Sequence, residues 1–162
     1  MPTIVQLTEW PEAAIQGLLS ESEQEGFRFV RRARDEWLSG ANRFSSDGEA
    51  FFGAFEAGQL VAVGGINRGE ACCGRLRRVY VRRSERGRGV GRHLVRHILE
   101  FGSRHYARAA LRCDTAAADQ FYRALGFSRT NLDPTSTHLI ELKGMPNHPP
   151  DPTPAPGLRP AG

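Results

Sequence analysis

Cysteine is scarce in this chain: three residues in 162, two of them adjacent at Cys72–Cys73 and one at Cys113. That set makes neither an even disulfide framework nor a C-x-x-C metal pattern, and a reducing compartment is the simplest setting for it. Long apolar runs are missing too. No segment reaches the ~18 uninterrupted apolar residues of a membrane span, and the opening MPTIVQLTEWPEAA lacks a basic region followed by an apolar stretch. A cytoplasmic protein without membrane contact is expected. No internal repeat is visible. Proline is sparse before Gly144, whereas seven of the ten prolines fall in the 18 residues after it, MPNHPPDPTPAPGLRPAG. With almost no apolar bulk, residues 145–162 cannot build a core and read as a disordered or polyproline tail to a single domain over 1–144.

Positive charge is present and unevenly spread. The net charge of +4 and pI near 9.4 are only mildly basic. Between Arg75 and Arg92, however, stand eight arginines against one acid, Glu85. Such concentration suits a ligand carrying several phosphates. A nucleic-acid surface fits less well, because Tyr80 is the only aromatic among the arginines and most of them lie on a strand and a tight turn.

The stretch Val79–Leu99, VYVRRSERGRGVGRHLVRHIL, organises the chain. It passes from residues suited to a strand, through a turn of glycine and arginine, into apolar residues at helical spacing: Val90, Leu94, Val95, Ile98 and Leu99. A strand that turns directly into a helix leaves the first helical N–H groups without partners, and a phosphate is their natural occupant. Gly87, Gly89 and Gly91 let the backbone approach an anion, while Arg86, Arg88 and Arg92 add full charges to the helix end. The lysine and serine or threonine of a P-loop are absent, since Arg92 and His93 follow Gly91. The dinucleotide pattern G-x-G-x-x-G fails from either starting glycine.

What fits is Arg-x-x-Gly-x-Gly, read as Arg86, Gly89 and Gly91 directly after the strand Val79–Val81. This resembles the pyrophosphate-binding motif of the GCN5-related N-acetyltransferases (GNAT). About thirty residues further on, Phe121-Tyr122-x-x-Leu125-Gly126-Phe127 resembles that family's F-Y-x-x-x-G-F signature. Two motifs in this order and at this spacing are more specific than either alone.

The remaining elements agree with that architecture. Thr3–Leu7 reads as a first strand, Pro11 opens a helix with Ile15, Leu18 and Leu19 inward, and a second helix carries Phe29 or Val30, Ala33 and Trp37 until Gly40. Ala50–Phe55 and Leu60–Ile66 form a hairpin across Glu56–Ala57–Gly58–Gln59, and Gly64–Gly65 suggests a bulge or a close backbone approach. Asn67–Cys73 is a loop and Leu76–Val81 the strand before the phosphate turn. A helix from about Gly89 to Gly102 leads to a buried parallel strand, Ala109–Cys113. Asp114–Thr115 caps a helix facing inward through Ala118, Phe121, Tyr122 and Leu125, which Gly126 closes, and Thr137–Leu142 is the last strand. The expected fold is α/β, with a mixed, mostly antiparallel sheet of six to seven strands and helices on both faces.

The resemblance implies acetyl-coenzyme A as cosubstrate and an amine acceptor on a small molecule, peptide or protein. It places Val79, Tyr80 and Val81 along the pantetheine arm and acetyl group, residues 86–92 on the diphosphate, and Tyr122 as proton donor to the departing thiolate. Helices early in the fold wall the acceptor side, so Trp37, Asn42, Arg43 and Phe44 are candidate acceptor contacts. Many relatives carry glutamate about six residues before the strand's end, where this chain has Arg75; an arginine accepts no proton, although Arg75 or Arg77 can pair with an anionic group on the acceptor. Glu70, Asp114 and a water chain remain open as the general base. His93 and His97 share a metal-binding spacing, but the glutamate of the zinc-protease pattern is absent and amine attack on a thioester needs no metal. The alternative function is an acyl-coenzyme A sensor that has lost catalysis. A homodimer is compatible with a free sheet edge, and neither nucleic acid nor membrane is expected as a partner.

Overall fold

The computed structural model describes residues 1–131 and 133–142. The proline-rich tail and the expected domain boundary at 144 lie outside the described residues. In chain order the elements are β1 (Thr3–Gln6), α1 (Glu12–Gln24), α2 (Phe29–Ser39), β2 (Ala50–Glu56), β3 (Gln59–Arg68), β4 (Cys73–Val81), a 3-10 turn (Arg83–Glu85), α3 (Val90–Ser103), β5 (Arg108–Leu111), α4 (Ala116–Ala124), β6 (Ser128–Arg129) and β7 (His138–Glu141). One seven-stranded sheet runs β1-β2-β3-β4-β5-β7-β6. Among the described residues only β4 and β5 pair in parallel. None of the helices is long and apolar enough to cross a membrane among the described residues.

The near-continuous apolar runs of β2 and β3 follow from burial on both faces. One face packs Phe51, Leu60, Val63 and Tyr80 against Ile15, Leu18, Val30 and Trp37 of α1 and α2. The other packs Phe52, Val61, Ala62, Ile66 and Leu76 against Leu94, Val95, Ile98 and Leu99 of α3, with Tyr122 and Phe127 closing the edge. Local signals set the boundaries. Gly40 ends α2 in the left-handed region, Thr115 caps α4 by accepting from the Ala118 N–H, and Ala57 and Gly58 both take positive φ in the two-residue hairpin turn.

Gly64–Gly65, read as a bulge or a close backbone approach, shows both: the ladder is irregular between Val63 and Gly65, two steps on β3 against three on β4, where Arg78 takes φ +61°, and a Cβ at Gly64 would lie 3.0 Å from Val79 and one at Gly65 2.6 Å from the Phe44 ring. Two expectations need correction. The loop expected at Asn67–Cys73 shrinks to residues 69–72, because pairing on both sides holds polar Arg75 extended between Asn67 and Ala110. And β5 ends at Leu111, leaving Cys113 beyond the strand.

Candidate active site

Between the end of β4 and the start of α3 the backbone presents a row of unused donors. Gly89 is the N-cap of α3 at φ +84°, and no side chain caps the helix. The first of these amides to find a backbone acceptor is that of His93, which donates to the Gly89 carbonyl at 3.0 Å. The N–H groups from Gly87 to Arg92 have no acceptor among the described residues. Gly91 seats the helix closely: an added Cβ would lie 3.2 Å from the Val81 and Phe121 side chains, a tight contact that would press them back from the first turn. Arg92 is exposed and makes no ion pair or hydrogen bond among the described residues, and Arg88 lies only 3.7 Å from Glu85 with most of its side chain in solvent. Six successive amides, the positive helix end and two available guanidinium groups suit a diphosphate.

Arg86 is occupied differently. Its Nη atoms grip Glu25 at 2.9 and 2.7 Å, Nε donates to the Val81 carbonyl at 3.0 Å, and the guanidinium stacks over Tyr80. It therefore ties the C-terminal end of α1 to the end of β4, with its own N–H donating to the Arg83 carbonyl. Hydrogen bonding from Arg86 foremost, then from Tyr80, outweighs burial and holds the Glu25 carboxyl down at about 2. The Tyr80 hydroxyl lies 2.6 Å from Glu21 and 2.5 Å from Glu25; its single proton serves one of them at a time. Sequence reasoning missed both glutamates. Their one signal was four-residue spacing on α1, which any solvated helix face shares.

Beside this turn the sheet splits. β4 and β5 pair only at Cys73–Arg108, Gly74–Ala109 and Arg75–Ala110. From Leu76 to Val81 the edge of β4 that faces β5 has no strand partner, so Val79, Tyr80 and Val81 line a wedge leading from the bulge to the phosphate turn. Tyr122 of α4 is buried at 9% exposure, yet its hydroxyl makes no hydrogen bond among the described residues and is not sealed from solvent. Burial first, and the Cys113 thiol second, raise its pKa well above that of an ordinary phenol, so it carries its proton throughout the working pH range.

On the opposite face of β4, Trp37 and Phe44 belong to the apolar cluster, with ring centroids 5.8 and 5.0 Å from Phe51. Asn42 and Asn67 exchange two amide hydrogen bonds of 3.0 Å. Arg43 donates through Nε to the Trp37 carbonyl at 2.9 Å. Arg75 reaches the β6–β7 loop, donating to the Thr135 carbonyl at 2.6 Å and the Ser136 hydroxyl at 3.1 Å. Of the carboxylates considered as base, Glu70 is exposed in the β3–β4 turn, about 20 Å along the strand from Val79. Asp114 is exposed beside Arg112 at 3.6 Å.

A second cluster brings Cys113, Thr137, His138 and Asp119 together next to α4. His138 is buried, with Nε2 2.8 Å from Asp119 Oδ1 and Nδ1 2.8 Å from the Thr137 hydroxyl and 3.5 Å from Cys113 Sγ. The spacing imitates a cysteine–histidine–aspartate triad. Asp119 is held well below the usual carboxylate range by Arg129 foremost and then by His138, so it accepts from Nε2–H. In the neutral imidazole Nδ1 is then the acceptor, and the closer Thr137 O–H takes it. Cys113 is left without a base, and burial pushes its thiol pKa up. These residues form a brace between α4 and β7. His93 and His97 belong to no group of three or more potential metal ligands among the described residues, and His97 packs edge-on against Phe52.

A wedge between two parallel strands, a row of free amides at a helix head and a buried phenol opposite define an acyl-coenzyme A transferase fold, and the family model of the GNAT acetyltransferases matches residues 12–127. The chain belongs to that family. Its relatives include the N-alpha-acetyltransferase RimI of Mycobacterium tuberculosis, 34% identical over 107 residues; the match covers 60% of this chain and 65% of RimI, a little under two thirds of that relative. Among solved structures, a protein of Exiguobacterium sp. 255-15 assigned as an acetyltransferase is 33% identical with a TM-score of 0.78, covering 87% of this chain and 93% of the other. A GNAT-family acetyltransferase of Staphylococcus aureus superposes with a TM-score of 0.72 at 18% identity, over 88% and 100% of the two chains, which shows the fold.

Proposed function

We propose that the protein is an N-acetyltransferase that moves the acetyl group of acetyl-coenzyme A to a primary amine by direct attack, with both substrates bound together. The observation that carries this reading is the run of six unpartnered amides, Gly87 to Arg92, continuous with the unpaired edge of β4. Acetyl-coenzyme A supplies the activated acyl group. The amides of residues 87–92, with Arg88 and Arg92, hold its diphosphate; backbone groups of Val79–Val81 orient the pantetheine arm and donate to the acyl oxygen, stabilising charge that develops there. Tyr122 supplies the proton that the leaving sulfur takes up. The 34% identity to RimI supports an amine acceptor, and a peptide amino terminus is one candidate.

No side-chain base is assigned. Arg75 occupies the position where relatives carry glutamate, and both Glu36 and Glu49 on the acceptor side are engaged, by the Arg78 guanidinium and the Arg68 N–H. Water therefore carries the amine's proton away, and kcat/KM rises with pH until the acceptor's own amine is deprotonated. Replacing one acceptor by another of lower amine pKa shifts the profile with it; a limb that stays fixed near pH 6 points to an enzyme group instead. The direct assay is release of free thiol from acetyl-coenzyme A in the presence of a panel of amines. The engagement of Glu36 and Glu49 by hydrogen bonds also favours a second reading, an acyl-coenzyme A sensor. Tight binding with no thiol release across the panel selects it, and no binding of either acetylated or free coenzyme A rejects both.

A further inference from the structure

The bulge at Arg78 has a chemical result on the face of β4 that carries α1 and α2. Side chains on a strand alternate, and one extra residue puts two neighbours, Arg77 and Arg78, on the same side. Arg75 and Tyr80 point there as well, as their bonds to the β6–β7 loop and to α1 record. Three guanidinium groups are thus crowded beside the strand segment that borders the wedge.

Two of the three are spoken for. Arg78 donates through Nη2 to Glu36 of α2 at 2.8 Å, and its side chain is only 10% exposed. Arg75 is held by Thr135 and Ser136. The arginines at the rim are bound also: Arg43 by the Trp37 carbonyl, Arg68 by the Asp47 carbonyl. Arg77 differs. It is half-buried, and it makes no hydrogen bond or ion pair among the described residues. Burial foremost, and then the neighbouring Arg78, weaken its hold on its proton, against a smaller opposing pull from Glu36. Arginine stays charged under such pressure, so the group is a partly desolvated cation without a counter-ion. Its nitrogens are not sealed from solvent, whereas Arg78 keeps a buried Nε–H that also lacks an acceptor.

The surroundings form a seat. Across the ladder from Arg77 is Gly65, which has no side chain of its own and is covered by the Phe44 ring. One step further the Asn42–Asn67 amide pair lies opposite Arg75. Phe44 and Asn42, named from sequence as acceptor contacts, therefore flank Arg77, which with Arg75 is the arginine read from sequence as able to pair with an anionic acceptor. Arg77 precedes Val79 by two residues, on the order of 7 Å of strand, so it lies within a side chain's length of the acyl end of the wedge.

We infer that Arg77 is the anion-binding residue of the acceptor site, and that the acceptor is an amine that also carries a carboxylate, either a free amino acid or a peptide with an acidic side chain near its amino terminus. A planar carboxylate matches the fork of a guanidinium, and occupying it would neutralise the uncompensated charge. The inference rests on the acetyltransferase reading for the word acceptor, and binding tests it independently of transfer.

The test uses the full chain, wild type and the variants Arg77→Met and Arg77→Lys. Probes are the ω-amino acids from glycine to 6-aminohexanoate and their carboxamides, the peptide amides Ala-Glu-Ala and Ala-Gln-Ala, and phosphoethanolamine. Each is titrated calorimetrically with and without saturating coenzyme A, and then assayed for acetyl transfer. At least one carboxylate is expected to bind about tenfold or more tightly than its carboxamide. Arg77→Met should bring that ratio to within about threefold of unity, Arg77→Lys should restore part of it, and coenzyme A affinity should not change. The chain length at which the preference peaks, or a preference confined to the peptides, identifies the source of the carboxylate. Carboxylate binding without transfer keeps the inference and overturns the enzymatic reading. Equal binding of every carboxylate and carboxamide by the wild type, a preference that survives in Arg77→Met, or stronger binding of phosphoethanolamine than of any carboxylate overturns the inference.

Discussion

A phenol without a hydrogen-bond partner is the residue on which turnover should depend most. The Tyr122 ring packs against Phe121 and Phe127, and its hydroxyl, open to solvent, has no hydrogen-bond partner among the described residues. Removing it costs no existing bond. Tyr122→Phe should therefore leave the melting temperature and the coenzyme A dissociation constant nearly unchanged while kcat falls by about 10²-fold or more, measured by thiol release at saturating cosubstrate. Unaltered kcat would take Tyr122 out of the mechanism. Glu25 offers a test of the other kind, on stability. Its carboxyl is held at about 2 by Arg86, below the 4.5 of an unperturbed glutamate. A depressed carboxyl favours the folded state fully above pH 4.5 and loses that contribution as pH falls towards 2. The stability gap between wild type and Glu25→Gln, followed by urea denaturation, should be largest near neutrality and close over that window; a gap independent of pH would show that the ion pair contributes nothing. Tyr122 was legible in the sequence because it sits in a motif. Arg75 and Arg77 read alike in the sequence as residues able to pair with an anionic acceptor, and what separates them, the bonds that hold Arg75 and the lack of any at Arg77 among the described residues, is assigned only by the tertiary fold.

At the scale of elements, the phosphate turn depends on two glycines for opposite reasons. Gly87 has open space around its missing Cβ but φ +78°, whereas Gly91 has helical dihedrals and little room. Gly87→Ala should cost about 1 kcal/mol in stability through its left-handed conformation. Gly91→Val should drive α3 away from Val81 and Phe121, weakening coenzyme A by tenfold or more with helix content kept by circular dichroism. Equal effects of the two would mean that packing does not set the turn. The link between α2 and the bulge is equally specific. Glu36→Ala leaves Arg78 buried and unpaired, and should destabilise by about 2 kcal/mol more than the double variant Glu36→Ala/Arg78→Met, as measured by chemical denaturation. The turn, the helix after it and the hairpin before it were readable from local pattern, since each is stated by neighbours within a few residues. The irregularity was legible at Gly64–Gly65 as a bulge or a close approach, but not that its extra residue is a non-glycine on β4, Arg78, whose side chain Glu36 anchors.

For the molecule as a whole, the wedge is the consequence of unequal strand lengths. β4 has nine residues and β5 four, and the two share only three pairs. Beyond those pairs no strand satisfies the outer edge of β4, and the α3 amides continue the same unpaired line. Filling it should stabilise the domain by mass action: at a hundredfold excess over the dissociation constant coenzyme A contributes about 2.7 kcal/mol, or roughly 5–10 °C in melting temperature for a domain of this size. A flat thermal-shift titration with folded protein would remove the cofactor from the account.

Order along the chain determined much: the strand–turn–helix of residues 79–99, the two motifs about thirty residues apart, the hairpin, and the mixed sheet with helices on both faces. These depend on short-range dihedral preferences and on apolar periodicity, and both are written in consecutive residues. Only tertiary structure decided where β4 leaves β5, which arginines are neutralised, and that Thr137 rather than Cys113 occupies His138. Those outcomes turn on contacts between segments as much as 61 residues apart, and the free energy that selects them is that of pairing or burying a group, which depends on what the fold brings beside it.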